Sequence, residues 1–180
     1  MSGSADPSSV PEMLIDDFQR DDRVSALGTA WRGVSDRVMG GVSKETLRLE
    51  EHAGRRCLRL SGKVRLENNG GFIQMALDLD PRGACVDAST FTGLHLLVNG
   101  NGERYSVHLR TADVIRPWQS YRAHFEAPPV WREVRLPFAG FRPHRIEAPL
   151  DLTRLRRIGI VAIGRAFFAH LRLAGIAFYG

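Results

Sequence analysis

Apolar and polar side chains alternate along most of this chain, the period of half-buried strands rather than helices. Leu47-Arg48-Leu49-Glu50 alternates, and the run from Cys57 to Leu66 continues the pattern. Phe72 to Asp80 sets Ile73, Met75, Leu77 and Leu79 on one side; Leu94, Leu96 and Val98 share another face. In the next strand Tyr105, Val107 and Leu109 oppose Ser106, His108 and Arg110. Tyr121-Ala123-Phe125 and Val134-Leu136-Phe138 repeat the phase. Ile158 to Ile163 is a continuous apolar run, as expected of a strand buried on both faces. Phe168 to Tyr179 closes the series, with Gly175 at a predicted bulge. Asn99-Gly100-Asn101-Gly102 reads as a hairpin turn. Helix is confined to a turn or two: one at 151–156, where Asp151 is placed to cap, and another around 22–27. About ten short strands at this spacing predict an all-β fold, an antiparallel β-sandwich or jelly roll.

Length changes little: 180 residues are enough for one domain with a core that needs no staples. Residues 1–12, rich in Ser, Pro and Asp, read as a disordered tail, leaving 13–180 as a single β-sandwich domain. The start has no apolar segment of a secretory signal, and Asp6 and Glu12 argue against a mitochondrial presequence. No stretch approaches the roughly 20 apolar residues of a membrane-spanning helix, so no membrane insertion is expected. Cys57 and Cys85 form no disulfide framework; a cytoplasmic location is the expectation. Charge is uneven. Residues 1–90 carry 12 basic and 14 acidic side chains, residues 91–180 carry 13 and 6. All but Lys44 and Lys63 of the 25 basic residues are Arg. An anionic partner is one reading of that asymmetry, solvated strand faces the other. With no long basic run and no recognised motif, nucleic acid is not an expected partner.

The most distinctive stretch is Ser35-Asp36-Arg37-Val38-Met39-Gly40-Gly41-Val42-Ser43, shortly after Trp31. Its Gly pair can take positive φ, and the run predicts an ordered loop of fixed shape. Together with Leu14-Ile15-Asp16-Asp17-Phe18, Glu67-Asn68-Asn69-Gly70-Gly71-Phe72 and Trp131-Arg132-Glu133-Val134-Arg135-Leu136-Pro137-Phe138, it resembles the signature of the complex I intermediate-associated protein 30 family across residues 13–180. The resemblance implies a galactose-binding-like β-sandwich. It implies little about biochemical activity, although the eukaryotic member assists assembly of respiratory NADH:ubiquinone oxidoreductase by binding other assembly proteins. A fold transfers more safely than such a role.

No G-x-S-x-G elbow, P-loop or dinucleotide fingerprint is present, so neither an enzyme nor a cofactor is expected. The six histidines lack metal-ligand spacing. Asp16 and Asp17 would be the carboxylate donors if the structural Ca²⁺ of many galactose-binding-like modules were kept. His95, His108 and His124 fall on the polar phase of their strands. They make either a shared binding face with Arg110, Arg122 and Glu126 or three solvated side chains. The leading expectation is a protein-binding, assembly-factor-like or chaperone-like module. The alternative is a carbohydrate-binding module, which needs a flat ring and planar polar groups. Its residues would be Trp31, Asp36, Arg37, Met39, Gly40 and Gly41 in the 31–43 loop, Asn68, Asn69, Gly70 and Gly71 in the 68–72 turn, and Arg110 and Trp118.

Overall fold

The computed structural model describes residues 12–180, so the expected tail, Glu12 apart, lies outside the described residues. Twelve strands are present among the described residues: β1 (Glu12–Asp16), β2 (Arg32–Ser35), β3 (Thr46–His52), β4 (Arg55–Val64), β5 (Phe72–Asp78), β6 (Gly93–Asn99), β7 (Arg104–Thr111), β8 (Ser120–Glu126), β9 (Arg132–Pro137), β10 (Arg142–His144), β11 (Leu155–Ile163) and β12 (Phe167–Tyr179). They form two antiparallel six-stranded sheets. The first runs β3-β4-β12-β6-β9, with β1 pairing the C-terminal half of β12. The second runs β10-β8-β7-β11-β5-β2. Helical turns among the described residues are all 3-10, including Leu152–Arg154, whose Thr153 N–H donates to Asp151 as the sequence predicts. The turn expected at 22–27 is instead a bridge between Val24 and Ala30.

The alternation does what it implies. Leu58, Leu60, Leu94, Leu96, Val98, Leu171 and Leu173 face inward from the first sheet, all fully buried. Ile73, Met75, Leu77, Val107, Leu109, Tyr121, Ile158 and Ile160 meet them from the second. Each such side chain contributes about 1.5–3 kcal/mol on leaving water. Cys57 is also sealed, and burial pushes its thiol up to about 11. A register shift between Leu173 and Gly175 marks the predicted bulge.

One predicted turn proves to be something else. Asn99-Gly100-Asn101-Gly102 does not join paired strands: β6 lies in the first sheet and β7 in the second. It is a corner between layers. Gly100 N–H donates to the Pro128 carbonyl and Gly102 N–H to that of Ala127, so the glycines dock on the β8–β9 connection. The Tyr105 hydroxyl donates to Asn101 Oδ1 at 2.6 Å, and Asn101 Nδ2 reaches the Phe168 carbonyl at 2.9 Å. Local pattern marks the reversal but not which strands it joins.

Candidate functional site

Two of the signature stretches, 35–43 and 67–72, meet around one carboxylate. Asp36 opens a 3-10 turn, Asp36–Met39, capped by the Ser35 side chain, and it is completely buried. Its Oδ1 accepts the Ser43 N–H at 2.9 Å. Its Oδ2 accepts the Ser43 hydroxyl and the Gly71 N–H, both at 2.6 Å. Burial works against this charge, yet the hydrogen bonds from Ser43, Gly71 and Phe72 outweigh it and hold the carboxyl below its usual value. The glycines follow from the same carboxylate. A Cβ on Gly41 would collide with Cγ of Asp36, and one on Gly70 would sit 2.5 Å from Oδ2. Gly40 is the one of that pair at positive φ, +86°, and Gly71 lies at +129°. Asn68 and Asn69 adopt left-handed backbone, φ 59° and 58°, and Asn68 Nδ2 clamps the Gly40 carbonyl at 3.1 Å. The loop is therefore a latch with Asp36 as its pin. Arg37, Val38 and Met39 are exposed on its outer side.

Trp31 does not serve as a sugar platform. It is 2% exposed and packs on Phe18 with ring centroids 5.8 Å apart. Its indole N–H donates to Asp16 Oδ2 at 2.8 Å, while Asp16 Oδ1 accepts the Phe18 N–H at 2.9 Å. Burial raises the pKa of that carboxyl, opposed by these donors. Both Asp16 oxygens are thus used inside the protein and are not presented to a cation. Asp17 is exposed and caps Gln19. No group of three or more metal-binding side chains occurs among the described residues.

The outer face of the second sheet gathers the polar side chains. His108 lies opposite Arg122 across the β7–β8 pairing and opposite Gly159 across β7–β11. Arg110, two residues along β7, lies opposite Arg157. Ser106 lies opposite His124, and His144 on β10 opposite Ser120. Two adjoining clefts of about 210 and 60 Å³ share Arg110 and Arg157. Arg157 Nε is paired with Asp78 at 2.7 Å. Arg110 donates to the Pro117 carbonyl at 3.3 Å, and Arg122 Nε to Ser120 Oγ at 2.9 Å. His108 is held neutral, its pKa pushed down to about 2 by burial and by the charge of Arg122. Its Nε2 is buried with no hydrogen-bond partner among the described residues. Trp118, 46% exposed, stands in the 112–119 loop at the rim, with the Arg116 guanidinium 6.0 Å from its ring centroid.

His108, His124, Arg110, Arg122 and Glu126 do share this face, as strand phase implies. His95 does not: it sits on the first sheet beside Glu12 and Glu133, because β6 belongs to the other layer. His144, Gln74 and Arg157 also join this face, and strand phase alone does not single them out. The one local signal was Gly159, a gap in an apolar run, where a Cβ would meet Gln74 Oε1 at 2.5 Å.

The profile of the family described as Complex I intermediate-associated protein 30 matches residues 17–170. The mouse protein named complex I intermediate-associated protein 30, mitochondrial, is 28% identical over 171 aligned residues, covering 81% of this chain and 51% of the mouse protein. The chain thus spans about half the length of that curated relative. Among solved structures, the family 11 carbohydrate-binding module of cellulosomal cellulase Lic26A-Cel5E of Clostridium thermocellum superposes with a TM-score of 0.73 at 16% identity, covering 96% of both chains. The Clostridium thermocellum family 11 module in complex with a β-1,3-1,4-mixed-linked tetrasaccharide gives 0.71 at 16% identity, over 96% of this chain and 98% of that one. A family 30 carbohydrate-binding module gives 0.66 at 14% identity, over 94% and 87%. At such identities these likenesses establish the fold, a jelly roll of the galactose-binding-like kind.

Proposed function

The chain belongs to the complex I intermediate-associated protein 30 family, and from that premise we propose that it is a non-catalytic module that binds a protein partner during assembly of a multisubunit complex. The outer face of the second sheet is the contact surface in this reading. What carries it is the chemistry of that face: its strands present guanidinium and imidazole groups and, among the described residues, no exposed flat ring to stack a sugar. The large aromatics of β7 and β8, Tyr105, Tyr121 and Phe125, all point into the core. Arginine-rich surfaces with a peripheral Trp suit protein interfaces.

A second reading, carbohydrate binding, has one observation in its favour. Trp118 stands exposed at the rim, on a fold whose solved neighbours are carbohydrate-binding modules. Affinity capture with the tagged chain from its native host, run beside a glycan array, separates the two. Recovery of a membrane-enzyme subunit or assembly protein, with the glycan array silent, is the expected result. Capture at background, with array signal abolished by Trp118→Ala, would replace the first reading by the second.

A further inference from the structure

We propose that Arg110, His108 and Arg122 form a receptor for carboxylate side chains, occupied by an extended acidic segment of the protein partner. The proposal rests on the protein-binding reading above and assigns the partner its chemistry.

The half-buried arginines divide into two groups. Arg59 and Arg172 share Glu50 on the first sheet at 2.8 and 2.7 Å, Arg56 meets Asp21, and Arg157 meets Asp78. Arg110 and Arg122 have no carboxylate oxygen within 4.0 Å among the described residues. A guanidinium has five donors in a fixed fork, and those of Arg110 and Arg122 reach only backbone carbonyls and one hydroxyl. Burial, helped by neighbouring guanidiniums, lowers the pKa of both. Withdrawing a cation from water without a counter-ion is costly, and a bound carboxylate would offset that cost with charge-assisted, bidentate hydrogen bonds.

His108 is an independent observation pointing to the same place. It lies between the two arginines in the sheet, and its Nε2 has no partner among the described residues. As an N–H donor that atom, now covered by its neighbours, would complete the cradle around a carboxylate oxygen that displaced them. Gly159 opposite it carries no side chain, and the space a Cβ would take there is occupied by the Gln74 amide oxygen. Spacing favours a polypeptide over a lone anion. His108 and Arg110 are two residues apart on one strand, about 7 Å, which is the interval between same-face side chains of an extended peptide.

The test is a ¹⁵N-labelled titration of the full chain with hexaglutamate, trigalacturonate and inorganic phosphate in parallel. Hexaglutamate is expected to shift the amides of His108, Gly159 and Arg122 saturably. Arg110→Gln and Arg122→Gln are each expected to weaken it at least tenfold, and Arg165→Gln, whose cation pairs with Glu103 elsewhere, not at all. No saturable shift, or binding of trigalacturonate or phosphate that equals or exceeds hexaglutamate, overturns the proposal. Wild-type titration decides the matter if a variant fails to fold. Should Arg110→Gln and Arg122→Gln capture the same host protein as wild type, the acidic-segment proposal falls while the protein-binding reading stands. Should wild type capture nothing, that reading falls first.

Discussion

Asp36→Ala removes the pin of the latch and nothing else of comparable size. Three short hydrogen bonds end on that carboxylate, from the Ser43 N–H, the Ser43 hydroxyl and the Gly71 N–H. Bonds to a charged acceptor contribute about 1.5–3 kcal/mol each, and a buried donor left unpaired is itself penalised. Part of the gross loss is returned, because the variant no longer has to bury a carboxylate. The net expectation is a destabilisation of about 3–5 kcal/mol, or about 6–20 °C in melting temperature for a domain of this size. Differential scanning calorimetry measures it, and limited proteolysis reports whether residues 36–43 and 66–71 become cleavable together. Asp36→Asn should lie between the two, since its amide group would present N–H to the N–H of Ser43 or Gly71. The pH dependence has a definite sign. The folded carboxyl titrates below its ordinary value, so its contribution is complete above that value and is lost as pH falls through the lowered pKa. If Asp36→Ala melts within about 2 °C of wild type and resists protease equally, the loop is held by something else and the latch account is wrong.

Other substitutions probe separate parts of the structure. Gly40→Ala meets open space and loses only the left-handed backbone preference, about 1–2 kcal/mol. Gly41→Ala should cost more because Asp36 must move, and urea midpoints in the reverse order would refute a steric role. Trp31→Phe leaves the buried Asp16 carboxylate short of one donor and should lose about 1–3 kcal/mol by the same assay. His108 is neutral in the fold but titrates near its ordinary value when unfolded, so the unfolded chain binds the extra proton below pH 6.5. Stability should therefore fall on acidification by up to about 1.4 kcal/mol per pH unit from this group. Comparing His108→Gln with wild type at pH 7 and pH 5 isolates that slope; identical losses would show the imidazole to be hydrated.

Strand phase was the legible part of this molecule, because one solvent-facing and one core-facing side chain per pair of residues is a local property. His108 and Arg110 are accordingly more exposed than Val107 and Leu109. Layer assignment was not local. Nothing near Asn99-Gly100-Asn101-Gly102 reveals that β6 and β7 part company, since their partners β9, β11 and β12 come later in the chain. The same holds for the site. Asp36 and Gly71 are 35 residues apart, so the signature glycines read only as a positive-φ pair in a fixed loop, when two of them in fact make room for a carboxylate. Trp31 near Asp36 and Arg37 has the composition of a sugar site, and only the Asp16 contact shows the ring turned inward. Arg157 and Gln74 join the polar face through strand neighbours that period two cannot supply.

Strand β12 ties synthesis order to completion of the first sheet. It separates β4 and β1 from β6, so before it inserts the sheet exists as two unjoined halves, β3-β4 and β6-β9, with β1 unpaired. A ribosome must deliver the chain through Tyr179 before those halves can zip together, and until then the rims of β4 and β6 stand open to any passing strand. Such late, distant pairing is slow. The nascent protein is thus exposed to misassociation for longer than its finished stability would imply, and holding that gap shut during translation is a natural task for cellular chaperones.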